Sequence, residues 1–124
     1  MANCYCGNSV PFEDCCAPYI KGSQNPETAE ALMRSRYSAY ATVNADYLIE
    51  TTHISKRKFH KKSDILAWSK ANQWLKLTVL NATENTVTFE AYFLDENLQA
   101  QIHKEHSYFK LENQNWFYVD GEFS

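Results

Sequence analysis

Glycine is scarce in this sequence, with three in 124 residues, and proline is equally scarce. The glycines stand at 7, 22 and 121, too far apart to build a glycine-rich phosphate loop, and no Gly-x-Ser-x-Gly elbow occurs. Nucleotide-binding and serine-hydrolase chemistry of those kinds has no foothold. An excess of one charge is missing too. Twelve Lys and Arg against fifteen Asp and Glu give a formal net charge of −3 and a pI near 5.8, which supplies no global attraction to nucleic acid or anionic lipid. There is no run of about 18 apolar residues, so no membrane-spanning helix is expected. The opening Met1-Ala2-Asn3-Cys4-Tyr5-Cys6 has neither the basic nor the apolar region of a secretory signal, and the chain is expected to be cytoplasmic.

Aromatic residues, by contrast, are plentiful at 15%, and charged residues make up 22%, the composition of a globular chain. The length suits one domain plus a short appendage. Residues 1–22 hold all four cysteines, two of the three glycines and two of the three prolines. A bound ion can organise such a turn-rich segment, whereas a hydrophobic core cannot. The segment 1–22 is therefore read as a separate knuckle, with the boundary near Lys21-Gly22-Ser23-Gln24-Asn25-Pro26 and the main domain over 23–124.

Cys4-x-Cys6 and Cys15-Cys16 supply two pairs of soft donors, the set that tetrahedral zinc takes, since coordination removes the thiol proton. Gly7 follows a ligand at a place where a positive φ would turn amides toward sulfur, and Tyr5 and Phe12 are placed to roof the site. A disulfide within the segment and thiol redox chemistry are the alternatives. A bond between adjacent Cys15 and Cys16 would be strained, a reducing compartment disfavours disulfides, and no Cys-x-x-Cys is present. Four thiolates leave no position for water, so the zinc is expected to be structural rather than catalytic.

Beyond the knuckle, Thr28 caps a predicted helix over 29–41 in which Ala29, Leu32, Met33, Tyr37 and Tyr40 share a face. Asn44 reads as a second cap before a short helix at 47–50, and a third helix covers about 63–70. From Trp74 the pattern turns to strands over 74–80, 86–94, about 100–111 and 116–120, with Val87, Phe89, Ala91 and Phe93 on one face of the second. Helices first and antiparallel strands after them predict an α+β domain with helices on one face of a curved sheet.

Cys4-x-Cys6-Gly7-Asn8-Ser9, then eight residues between Cys6 and the Cys15-Cys16 pair, resembles the SEC-C motif, the zinc-binding element at the C-terminus of the SecA translocation ATPase. Asn8 and Val10 depart from its usual turn residues but remove no ligand. The stretch from Thr28 to Tyr40, then Asp46-Tyr47-Leu48, His53, Arg57, Trp74 and the closing Trp116-Phe117-Tyr118-Val119-Asp120-Gly121, is similar to the bacterial YchJ family. That resemblance implies a SEC-C element on a nuclear-transport-factor-2-like domain, a cone formed by a bent antiparallel sheet wrapped around helices. It brings no established activity. Longer relatives carry a second SEC-C element at the C-terminus, whereas this sequence ends at Ser124 without one, so a function needing two knuckles is not implied. The SecA element contacts an export chaperone and the ribosome, which by resemblance makes a protein or ribosomal partner the expectation.

A cone leaves a concave mouth, and Arg36, Tyr40, His53, Trp74 and Glu105 are the candidate pocket residues, for a small-molecule binder or an enzyme. Arg34 and Arg36 lie about 200° apart on a helix, so only one of them can face a pocket. For Arg36, an internal ion pair with a carboxylate such as Asp46 or Glu105, or a capping role, stands beside ligand binding. His53 is the acid–base candidate by residue type, with a structural role as its alternative. His103 and His106, an odd spacing apart in a strand, are expected on opposite faces and not on one metal. The basic run Lys56-Arg57-Lys58-Phe59-His60-Lys61-Lys62 reads as a solvated loop and is the one place where nucleic acid contact is conceivable.

Overall fold

The computed structural model describes residues 3–123. They form helices α1 (Ala17–Lys21), α2 (Ala29–Ala41), α3 (Ala45–Glu50) and α4 (Lys62–Ala71), then strands β1 (Gln73–Ala82), β2 (Thr86–Leu94), β3 (Ala100–Glu112) and β4 (Asn115–Phe123). Short 3-10 turns occupy Phe12–Asp14 and Arg57–Phe59. The hydroxyl of Thr28 accepts from the amide of Ala31 at 3.0 Å and so satisfies one of the unpaired donors at the start of α2. Asn44 precedes α3 but does not cap it; its side chain turns back to donate to Thr42 Oγ1 at 2.6 Å.

The strands form a meander in the order β1-β2-β3-β4, every neighbour antiparallel. β2 and β3 pair without interruption from Thr86 opposite Tyr108 to Leu94 opposite Ala100. β1 slips in register against β2 between Trp74 and Lys76 and again between Val79 and Asn81, and β3 slips against β4 after Tyr108. Each extra residue bends its strand and increases the local twist, which curves the sheet over α2. The edge of β4 is covered by residues 51–53: Tyr118 N–H donates to the Thr51 carbonyl, and His53 N–H to the Tyr118 carbonyl, both at 2.7 Å.

The apolar stripe predicts one buried face for α2, but the helix is buried on more than that face. Leu32, Met33 and Tyr37 pack in the core with Leu48, Leu77, Val87 and Phe109, while Ser35, Ser38 and Ala39 are fully covered as well. The second cover is the N-terminal segment, whose Cys4, Cys6 and Cys16 belong to the same cluster of buried residues. Leu32 and Leu48, essentially inaccessible, each contribute on the order of 1.5–3 kcal/mol by burial.

α2 ends in a pair of reversed hydrogen bonds, Asn44 N–H to the Ala39 carbonyl at 2.7 Å and Val43 N–H to the Tyr40 carbonyl at 3.2 Å. This closure requires a left-handed residue, and Val43 supplies it at φ 60°, a conformation that costs a β-branched side chain roughly 1–2 kcal/mol. Val43→Gly is expected to raise the stability by about 1 kcal/mol in equilibrium denaturation. A loss of stability would show that the half-buried valine packs with more energy than its backbone strain.

Candidate functional site

Two centres lie on opposite sides of α2. On the first, Gly7 at φ 94° turns the chain after Cys6, and its amide donates to the Cys4 carbonyl at 3.0 Å. The sulfurs of Cys4, Cys6, Cys15 and Cys16 all lie within 4.8 Å of one another, with Cys6 to Cys15 at 3.7 Å and Cys15 to Cys16 at 3.9 Å. An ion held tetrahedrally with sulfur bonds of about 2.3 Å separates its sulfurs by about 3.8 Å. The four thiols therefore have the spacing of a closed four-sulfur metal site and are too far apart for disulfides.

Supporting groups surround the sulfurs. Asn8 Nδ2 donates to Cys15 Sγ at 3.4 Å, and Ser38 Oγ on α2 lies 3.5 Å from Cys4 Sγ. Arg34 ties the knuckle to α2: Nη1 donates to the Cys6 carbonyl at 2.7 Å while Nε pairs with Glu30 at 2.9 Å. Hydrogen bonding, chiefly from Cys16, brings the Cys6 thiol down to about 5, whereas burial pushes Cys15 up to about 11. Cys16 is raised as well, first by its hydrogen bond to Cys6 and then by burial. Such a set favours one thiolate among neighbouring thiols, and a bound cation is what lets all four deprotonate together.

On the far side of α2 the curved sheet encloses a cavity of about 250 Å³. Tyr37 and Tyr40 from α2, Trp68 from α4, Trp74 from β1, Phe89 from β2 and Phe109 from β3 form its walls. Trp68 meets Trp74 with ring centroids 4.9 Å apart and Tyr40 at 5.4 Å, both edge to face. The polar groups gather around Tyr118. Its ring lies 4.5 Å from the Arg36 guanidinium carbon, and its hydroxyl donates to Glu105 Oε2 at 2.9 Å. Burial, and then the charge of Glu105, push the Tyr118 hydroxyl well above its ordinary range.

Glu105 is buried on the inward face of β3, 6% exposed. Burial alone would raise its pKa, but hydrogen bonds from His103 Nε2 at 2.9 Å, the Ser107 hydroxyl and Tyr118 outweigh that and hold the carboxyl below its ordinary value. Gly121, opposite Ser107 on β4, makes room for it, because a Cβ there would collide with Oε2. His60 also lines the cavity, its pKa lowered first by burial and then by the charge of Arg36.

A family model described as YchJ, middle NTF2-like domain, matches residues 28–121. The chain belongs to the YchJ family. It is similar to a UPF0225 protein of Photorhabdus laumondii, 42% identical over 95% of this chain and 79% of that one. A UPF0225 protein of Haemophilus influenzae is 36% identical over 97% of this chain and 77% of its own length. The solution structure of a SEC-C motif containing protein from Rhodopseudomonas palustris superposes with a TM-score of 0.90 at 35% identity, covering 98% of each chain. A crystal structure of a SEC-C motif containing protein from Psychrobacter arcticus gives 0.80 at 26% identity, covering all of this chain and 84% of the other. The α+β, NTF2-like fold with an N-terminal cysteine cluster stands as the sequence implied. No helix among the described residues is long and apolar enough to cross a membrane.

Within this YchJ-family fold, Arg36, Tyr40, Trp74 and Glu105 line this cavity, and His53 does not. Thr52 bridges to Tyr118 and points inward at 1% exposure, so strand alternation turns the next side chain outward. There His53 Nε2 meets Glu112 at 2.9 Å and Nδ1 meets Ser55 at 2.8 Å. Of the two internal roles expected of Arg36, the ion pair with Asp46 or Glu105 does not form, and the guanidinium caps the end of α3 instead. Arg36 Nη1 donates to the Leu48 carbonyl at 2.9 Å and Thr51 Oγ1 at 2.7 Å, and Asp46 pairs with Lys62 at 2.8 Å. In the basic run, Arg57 is committed to the Thr52 and Glu50 carbonyls at 2.9 Å, while Lys56 and Lys58 flank an exposed Phe59. His103 faces the cavity, and His106 on the other face bonds to Thr88. His60, His103 and Ser107 are cavity residues that the sequence did not place there: His60 stood out only as the imidazole within a basic run, and His103 only beside His106.

Because the folded pKa of Glu105 is depressed, its contribution to stability is complete above the unfolded glutamate pKa and is lost as pH falls from there through the folded value. Glu105→Gln is therefore expected to lose less stability than the wild type between neutral pH and pH values below the ordinary 4.5. Urea midpoints across that range check this. Parallel acid limbs for the two proteins would mean that the three donors do not favour the carboxylate.

Proposed function

We propose that this chain is a non-enzymatic zinc-binding interaction module of the cytoplasm, docking a protein or ribosomal partner through its SEC-C-like knuckle. The observation that carries the metal part is the closed set of four sulfurs at tetrahedral spacing, three of them at most 4% exposed. Thiolate donors at this separation suit zinc. Four of them fill its coordination shell, leave no site for a catalytic water and give the ion a structural role. Cys4, Cys6, Cys15 and Cys16 would hold it, with Asn8 and Ser38 steadying the sulfurs. Zinc then does for the knuckle what a hydrophobic core does for the larger domain.

The docking role is supported by what the knuckle leaves outside. Tyr5 and Val10 are 49% and 44% exposed, and Tyr5 is held edge-on to Phe12 at 5.4 Å, so an ordered aromatic anchor stands at the surface. Solved SEC-C motif containing proteins share this chain's architecture. A second reading, a small-molecule site in the cone, is favoured by the aromatic cavity with Arg36 and Glu105 at its polar end.

The variant Tyr5→Ser, Val10→Ser leaves every sulfur in place. It is expected to keep its metal and fold while cosedimenting with purified ribosomes about tenfold less than the wild type. Equal cosedimentation of the two proteins removes the knuckle as the docking surface, and no cosedimentation of the wild type removes the ribosome as the partner.

A further inference from the structure

Arg36 carries the one buried positive charge in the cone, and among the described residues no carboxylate lies within ion-pair distance of it. Its residue is 9% exposed. Nη1 is fully engaged by Leu48, Thr51 and Thr52, and the guanidinium lies against the ring of Tyr118. Nε and Nη2 have no protein acceptor among the described residues, and neither is sealed away as a buried unpaired atom. Arg36 is one of the residues that line the cavity. A guanidinium this far from bulk water is costly without an anion in contact, and among the described residues no carboxylate reaches it.

The negative group in the same cavity is in the opposite condition. Glu105 accepts from His103, Ser107 and Tyr118, so its charge is met by donors of its own strand and the neighbouring one. An incoming cation would find that carboxylate already satisfied, whereas an incoming anion finds an unpaired fork. Two more lining residues, Tyr40 and His60, have no side-chain hydrogen-bond partner among the described residues, and both can donate. The rest of the wall is aromatic. Trp68, 40% exposed, and Phe123, 67% exposed, mark where it opens to solvent.

We infer that the cone binds a small aromatic carboxylic acid, its carboxylate on the Nε–Nη2 edge of Arg36 and its ring between Trp74, Phe89 and Tyr40. This rests on the small-molecule reading of the cavity and gives that reading its ligand class. The planar fork suits a carboxylate bidentately. A phosphate would leave further oxygens facing the aromatic wall without donors. The volume lies just under the range of drug-sized sites, which limits the ligand to about one ring with a short side arm.

Trp68 and Trp74 report on occupancy, so the test is a fluorescence titration of the full chain with three probes of nearly one shape: phenylacetate, phenylacetamide and phenethylamine. Phenylacetate is expected to quench saturably, the neutral amide to bind at least about tenfold more weakly, and the amine not to saturate at millimolar concentration. Arg36→Lys keeps the charge but loses the fork, and is expected to weaken phenylacetate about tenfold. Since Arg36 also holds a carbonyl in the last turn of α3 and hydroxyls just after it, a second variant leaves it untouched: Ala91→Leu, which fills the cavity from β2 and is expected to abolish binding in a folded protein. Amine or amide binding as tightly as the acid overturns the ligand class and leaves the cavity as a binding site. No saturable binding by any probe, or binding unaffected by Ala91→Leu, overturns the cavity reading itself.

Discussion

Four thiol groups drawn within 4.8 Å of one another cannot stay together and buried by their own chemistry. Deprotonated, they repel. Protonated, they make weak hydrogen bonds that do not offset the ordering of a turn-rich loop. A single cation would resolve both difficulties, because it would be the shared partner of all four sulfurs. The position of the N-terminal segment follows from that, since Gly7, Asn8 and the 3-10 turn at Phe12–Asp14 are arranged around the sulfurs and not around a core of their own.

α2 carries this constraint to the rest of the molecule. Arg34 reaches the Cys6 carbonyl from one side of the helix, and Arg36, about 200° further round, faces the cone. The two arginines thus sit on one rigid element, one bracing the knuckle and the other closing the polar end of the cavity. Ser35 and Ser38 make the double burial possible. They are small enough for close approach, and their hydroxyls find Tyr47 and Cys4. Binding surfaces on the knuckle and in the cone would therefore share a wall without sharing a residue.

Much of the architecture was legible because it is written in local pattern. Thr28 announced α2, the alternation of Val87, Phe89, Ala91 and Phe93 announced β2, and four cysteines within thirteen residues announced the metal-ligand cluster. What escaped depends on distant residues. His53 turns outward because Thr52 is captured by β4, and no local signal contains that pairing. The inward face of β3 is polar at Ser107 as well as at Glu105, so a search for apolar alternation passes over Ser107; the Glu105 carboxylate, itself a candidate from the sequence, fits inside only because Gly121 lies beside it sixteen residues later. Burial of the knuckle on α2 likewise joins residues some thirty positions apart, which is why 1–22 reads as an appendage while its sulfurs belong to the common core.

The central claim is that one ion organises the N-terminal segment that packs against α2. X-ray absorption spectroscopy at the zinc edge on the purified chain tests it most directly. The account predicts one zinc per chain with four sulfur neighbours at about 2.3 Å and no light-atom ligand in the first shell. A folded protein without metal, or a zinc whose shell contains oxygen or nitrogen in place of sulfur, would contradict it.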